Sequence, residues 1–198
     1  MDKNEKTDDK KALRQRMRKL RLALSECDRA VFSCKLAENV LSWEVYRRAA
    51  NVLIYFPYGG EPDVLRFAEM SPEKRFFMPQ IRENHALTLG EYTKDCAMVA
   101  GEYGIMEPRE QMSESENGAA VDIDLVIAPA LACDFGCNRL GQGGGYYDRF
   151  LAEMRMRNEK AVFAAVVYDF QMVDKLDARA HDVKMDYVIT PSKIIAKD

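Results

Sequence analysis

Apolar and polar positions divide the chain into a helical opening and an alternating remainder. Near the N-terminus, apolar residues fall at Leu13, Met17, Leu20 and Leu24, the spacing of one helix face. Ser25 predicts the start of a second helix, with Asp28 three positions on as its capping partner, and that helix runs to about Leu41. Beyond it the period changes. Val52 to Phe56 is a short continuous apolar run, ended by Pro57 and two glycines. Arg75 to Ile81, Leu125 to Ala128, Val162 to Tyr168 and Tyr187 to Thr190 predict four more strands. Runs that are apolar on both parities belong to strands buried on both faces, as in parallel sheets covered by helices. Helical stretches intervene at 64–70 and 147–157, the second with Tyr147, Phe150, Leu151 and Met154 on one face. Leu87 to Tyr92 can add a hairpin strand, and Arg109 to Ala120 reads as a surface loop. The pattern predicts an α/β fold: an open, mostly parallel sheet flanked by helices, preceded by an N-terminal helical pair. No internal repeat supports a solenoid.

Composition narrows the class. With 198 residues, 47% hydrophobic and 31% charged, the chain is expected to form one domain over 1–198 without a disulfide or zinc staple. No apolar run approaches a membrane span, and the first ten residues lack the apolar centre of a signal peptide, so a cytoplasmic protein is expected. A net charge of −3 argues against a dedicated nucleic-acid binder. The five cysteines, Cys27, Cys34, Cys96, Cys133 and Cys137, contain no Cys-x-x-Cys and read as small buried hydrophobes.

The charge is unevenly placed. Lys10 to Arg21 holds seven cations and no acid. Lys10 and Arg14, four apart, share a helix face and can reach a polyphosphate, although such a face is more often simply solvated.

Candidate chemistry concentrates in Asp134 to Asp148, DFGCNRLGQGGGYYD, between a predicted strand and a predicted helix. Four of the five residues from Gly141 to Gly145 are glycine. Bare backbone there lets a ligand approach, and N–H groups ahead of a helix N-terminus cradle anions. The loop is neither a P-loop, since Gln142 stands where lysine is needed, nor the dinucleotide fingerprint, since Tyr146 takes the third glycine position. A glycine turn kept only for packing is the plainer alternative. Arg139 can touch a phosphate. Asp148 can ligate magnesium or simply favour the helix dipole, and Asp182 is a second carboxylate before the last strand.

These residues resemble the 5-formyltetrahydrofolate cyclo-ligases (methenyltetrahydrofolate synthetases). Asn138 to Asp148 resembles that family's R-L-G-x-G-x-G-Y-Y-D block. Weaker matches follow in order: Lys10 to Arg14, Tyr55-Phe56-Pro57 with Gly60-Glu61, Gly104 to Pro108, Asp122 to Pro129, and His181-Asp182 with Asp186. The resemblance implies a fold related to the sugar-phosphate isomerase and CoA-transferase group. It implies ATP- and magnesium-driven cyclisation of 5-formyltetrahydrofolate to 5,10-methenyltetrahydrofolate by phosphorylation of the formyl oxygen and attack by N10. Carried over, Lys10, Arg14 and the loop Arg139, Leu140, Gly141, Gln142, Gly143, Gly144, Gly145, Tyr146 and Tyr147 would bind ATP. Phe56, Glu61, Gln142 and Tyr146 would bind folate, and Asp148 and Asp182 would hold magnesium. Catalysis by positioning and charge leaves no nucleophile to name; Arg139 and Tyr146 are the best candidates, and both histidines are bystanders. The implied partners are two small molecules, with no nucleic acid and no membrane, and a monomer is expected.

The chain departs from the family pattern at Ala130 and Cys133, which can reshape the pocket floor, at Gln142, and at Asp177 to Ala180 beside Asp182. Three rivals stand beside this reading. A divergent member would bind without cyclising. An RNA or partner-binding module would use the basic helix but would not need Glu61 and Asp148. A sugar-phosphate isomerase would need no ATP.

Overall fold

A computed structural model describes residues 3–82, 87–110, 121–179 and 182–197. The basic segment forms helix α1, Lys3–Leu22. Its buried face is not the apolar row read from the sequence. Met17 is buried and Leu13 packs beside it, but Leu20 is exposed and Arg21 is buried in its place. Helix α2, Glu26–Ser42, starts as its sequence dictates. Ser25 adopts extended backbone as N-cap, its Oγ accepts the Asp28 N–H at 3.1 Å, and the hydroxyl donates to Asp28 Oδ2 at 2.6 Å. A short helix α3, Glu44–Arg48, then leads into the sheet.

The central sheet has seven strands. In chain order they are β1 (Asn51–Leu53), β2 (Arg75–Ile81), β3 (Leu87–Tyr92), β6 (Leu125–Pro129), β9 (Val162–Val166), β11 (Tyr187–Ile189) and β12 (Ile194–Ala196). Helix α4, Leu65–Met70, joins β1 to β2, and α5, Tyr146–Arg157, precedes β9. The spatial order is β12-β11-β9-β6-β1-β2-β3. The central pairs are parallel, and β3 and β12 close the two edges antiparallel. β1, β6, β9 and β11 are apolar on both parities because both faces are covered. Val52, Ile54, Ile127 and Val166 pack under α2, α3 and α4, while Leu53, Val126, Phe163 and Val188 pack under α5. The mostly parallel α/β architecture expected from the pattern is the one observed. Strands β4 (Met98–Ala100) and β5 (Met106–Pro108) make a small separate hairpin.

A three-stranded sheet carries the glycine loop. Its strands are β7 (Ala132–Asp134), β8 (Arg139–Leu140) and β10 (Met172–Val173). None was predicted, because two- and three-residue strands leave no readable period. Asp134 holds this corner. It is buried; Oδ1 accepts the Asn138 N–H at 2.9 Å and Oδ2 accepts the Leu176 N–H at 2.9 Å.

Cysteine environments are mixed. Cys133 and Cys137 are buried and none of the five cysteines is in a disulfide, but Cys27 and Cys34 are exposed on α2, against expectation. An amphipathic helix exposes any residue off its inner face, whatever that residue's hydrophobicity. Residues 111–120 and both histidines, His85 and His181, lie outside the described residues.

Asp134→Ala strands the Asn138 and Leu176 N–H groups without acceptors in a dry corner. Urea denaturation should show a loss of about 3 kcal/mol of stability.

Candidate active site

The parallel strands β1, β2 and β6 end on the same side of the sheet, and the chain leaving them lines one cavity of about 1000 Å³. Phe56 to Glu61 follow β1, Pro79 and Ile81 end β2, and Ala130 and Leu131 follow β6. Ligands in open α/β sheets occupy this crevice beyond the strand C-termini. The glycine loop forms another wall, and Lys10, Arg14, Arg18 and Arg21 of α1 form a third.

Lys10, Arg14, Arg139, the loop residues Leu140 to Tyr147, Asp148, Asp182, Phe56 and Glu61 all line this cavity. Segments more than a hundred residues apart in the chain meet there because α1 docks onto the loop. Arg14 Nε donates to the Gly141 carbonyl at 3.0 Å, and Arg18 Nε and Nη2 donate to Gln142 Oε1 at 3.1 and 2.8 Å. Desolvation, with Arg18 and Arg179 nearby, lowers the Arg14 pKa, and only Asp182 opposes this. A site that crowds cations in this way favours an anionic ligand.

The loop ends at the N-terminus of α5. Gly145 occupies the left-handed region at φ 70° and caps the helix without a side chain. The first N–H groups of an α-helix have no acceptor within it. They add to the positive end of the helix dipole, an environment suited to phosphate.

Each candidate metal ligand is already neutralised. Arg139 Nη2 donates to Asp148 Oδ1 at 2.7 Å, and Arg139 Nη1 holds the Pro129 carbonyl at 3.2 Å. Lys10 Nζ lies 3.4 Å from Asp182 Oδ2, which also accepts the Arg179 N–H at 2.8 Å. Among the described residues no three His, Cys, Asp or Glu side chains are grouped to hold a metal alone. Two carboxylates lining one cavity nevertheless fit magnesium, which takes one or two carboxylates and completes its shell with phosphate oxygens and water.

The Glu61 end of the cavity is drier. Glu61 Oε1 accepts from Arg21 Nη1 at 3.1 Å and lies 3.4 Å from Gln142 Nε2, while Oε2 accepts the Tyr58 N–H at 3.2 Å. Burial pushes the Glu61 pKa up, opposed first by the Arg21 charge. The Tyr147 hydroxyl is buried with no partner, and its pKa rises because burial disfavours the phenolate, with the Glu61 charge adding to the effect. Tyr146 instead reaches Tyr103: their hydroxyls lie 3.2 Å apart and their rings meet edge to face.

Sequence reasoning missed Arg18, Arg21 and Tyr103 as wall residues. The first two were legible in principle, since Lys10, Arg14, Arg18 and Arg21 repeat every three or four residues. Tyr103 carried no signal, because it arrives on a turn between two short strands. Of the departures from the family pattern, Ala130 does line the cavity. Cys133 does not; it is fully buried in the core beside α5, so its expected effect on the pocket floor is corrected.

Residues 6–191 match the family model described as the 5-formyltetrahydrofolate cyclo-ligase family. The chain belongs to the 5-formyltetrahydrofolate cyclo-ligase family. Among relatives bearing that name, the Mycolicibacterium smegmatis protein is 34% identical over 149 residues, covering 72% of this chain and 74% of that protein. The Haemophilus influenzae protein is 26% identical over 184 residues, covering 90% and 96%. The solved structure of Aquifex aeolicus 5,10-methenyltetrahydrofolate synthetase superposes with a TM-score of 0.78 at 30% identity, over 94% of this chain and 92% of that one. A Mycoplasma pneumoniae synthetase at 22% identity shares the fold, with a TM-score of 0.69 over 92% and 99%. This cyclo-ligase family member is therefore an enzyme of the ligase class. No helix among its described residues is long and apolar enough to cross a membrane.

Gly145→Ala forces a side chain into left-handed backbone at the start of α5. It should lower stability by about 1–2 kcal/mol in chemical denaturation.

Proposed function

We propose that this cyclo-ligase family member uses ATP and Mg2+ to convert 5-formyltetrahydrofolate to 5,10-methenyltetrahydrofolate, releasing ADP and phosphate. One observation carries the reading: a single cavity is lined both by the cations and glycine loop suited to a polyphosphate and by the buried carboxylate Glu61.

Lys10, Arg14, Arg139 and the N–H groups of Gly141 to Tyr147 hold the triphosphate. Glu61 accepts paired N–H bonds from the aminopyrimidinone edge of the pterin, and Phe56 walls it. Gln142 and Tyr146 stand where the two substrates meet. The N5-formyl oxygen forms a bond to the γ-phosphorus while the bond to the β–γ bridging oxygen breaks, and ADP leaves. N10 then adds to the formyl carbon, the carbon–oxygen bond breaks, phosphate departs with that oxygen, and N10 loses its proton. Positioning and charge neutralisation suffice for both steps, so no covalent intermediate on the protein is required. Arg139 neutralises charge building on the transferring phosphoryl group, and Tyr146 orients the formyl end. Asp148 and Asp182 would hold the magnesium, which supplies further neutralisation of phosphate charge. On nucleotide entry, Lys10 and Arg139 exchange their carboxylate partners for phosphate oxygens. We read the chain as one domain over residues 1–198, acting as a cytoplasmic monomer on two small molecules.

The test follows methenyl absorbance in an ATP-dependent assay. Turnover should require magnesium, and Asp148→Asn should lower kcat/KM by about a hundredfold. Lys10→Ala and Arg14→Ala should each raise KM for ATP by about tenfold with little change in KM for folate. Absence of turnover by folded protein on fresh substrate would overturn the reading.

A further inference from the structure

Position 21 lies four residues after the buried Met17, where the period of α1 calls for an apolar side chain. Arginine stands there instead, with its side chain 2% exposed, against Glu61 at 7%. A buried ion pair is a weak device for stability, since apolar residues of similar volume often serve as well or better. This pair is also imperfectly satisfied, because Arg21 Nε is buried without a partner.

The turn carrying Glu61 is moulded on this arginine. Gly60 is left-handed at φ +76°, and a Cβ there would stand 3.1 Å from the Arg21 carbonyl oxygen. The chain therefore passes over α1 at bare backbone, and the Tyr58 N–H returns to Glu61 Oε2. A second arginine, one helical turn earlier, works from the other side. Gln142 Oε1 accepts two bonds from Arg18, which leaves the amide NH2 to face Glu61.

We propose that Arg21 is the positioning residue that keeps Glu61 an oriented, ionised carboxylate for the N–H edge of the folate. The proposal rests on the folate reading of Glu61. An ionised carboxylate accepts on both oxygens, whereas a protonated one turns one oxygen into a donor and loses the paired geometry. Glu61 sits where ionisation is in question. The surrounding hydroxyls of Tyr55, Tyr147 and Tyr168 bring no positive charge, and the tyrosines respond to the Glu61 charge. Glu61 also borders a second cavity of about 510 Å³, where the cations Arg29 and Arg66 are offset by Glu26 and Asp63. Among the described residues, Arg21 is thus the cation in direct contact with it. Burial raises the Glu61 pKa and Arg21 is first among the opposing influences, so removing Arg21 raises it further. The protonated fraction then grows as pH falls, and folate affinity is lost on the acid side.

The experiment measures KM for folate and for ATP separately between about pH 6 and 8.5, with thermal melts, for wild type, Arg21→Met, Arg21→Lys and Glu61→Gln. Arg21→Met should raise KM for folate about tenfold or more while KM for ATP stays within about threefold. Its KM for folate should climb more steeply than that of the wild type as pH falls. Arg21→Lys, which keeps the charge but loses the fork, should restore the wild-type pH profile with an intermediate KM. Unchanged folate KM in Arg21→Met, or both constants rising together without a new pH dependence, overturns the proposal. Should Arg21→Met fail to fold, Arg21→Lys decides, and a folate KM within about twofold of wild type overturns it. A normal folate KM in Glu61→Gln removes the folate reading itself. An impaired Glu61→Gln beside a normal Arg21→Met removes only the role of Arg21.

Discussion

The docking of helix α1 against the glycine loop is the contact on which the rest of the site depends. Arg14 on the Gly141 carbonyl and Arg18 on Gln142 join the first elements of the chain to a loop more than a hundred residues later. Met17 supports them by packing in one cluster with Leu131, just before β7, and Leu140, the last residue of β8. Without this contact the crevice beyond the strands would be an open shelf. With it, a cavity is closed on three sides and lined by cations.

Those cations have occupants before any ligand arrives. Arg139 holds Asp148, Lys10 holds Asp182, and Arg21 holds Glu61. Charges partly removed from water are costly unless paired, and these cations and carboxylates neutralise one another across the cavity. The pairing differs with depth. Lys10 with Asp182 lies nearer solvent, whereas Arg21 with Glu61 is almost fully enclosed. The same pairing thus gives the cavity one end nearer solvent and one end that is almost dry.

Most of the scaffold was legible because each element carries a local signal. Ser25 and Asp28 announced the start of α2, Arg75 to Ile81 reproduced β2 residue for residue, and the two-sided apolar runs implied a covered parallel sheet. The small sheet of β7, β8 and β10 was not legible, since its strands are too short for a period and are stabilised by Asp134 and by neighbours distant in the chain. Leu20 and Arg21 show the same limit within one helix. Apolar spacing pointed to Leu20, yet a buried carboxylate on another segment placed Arg21 inward.

By itself the sequence determined the fold class, the glycine loop, and the charged residue types that the cavity gathers. Those are matters of local conformational preference and of chemical identity, which a residue carries wherever it lies. Only the tertiary structure decided which of the seven cations between Lys10 and Arg21 face the cavity and which acceptor each of those holds. That choice follows from long-range packing of α1 on the loop and from the cost of leaving Glu61 buried without a countercharge. Neither is written in the spacing of residues along the chain.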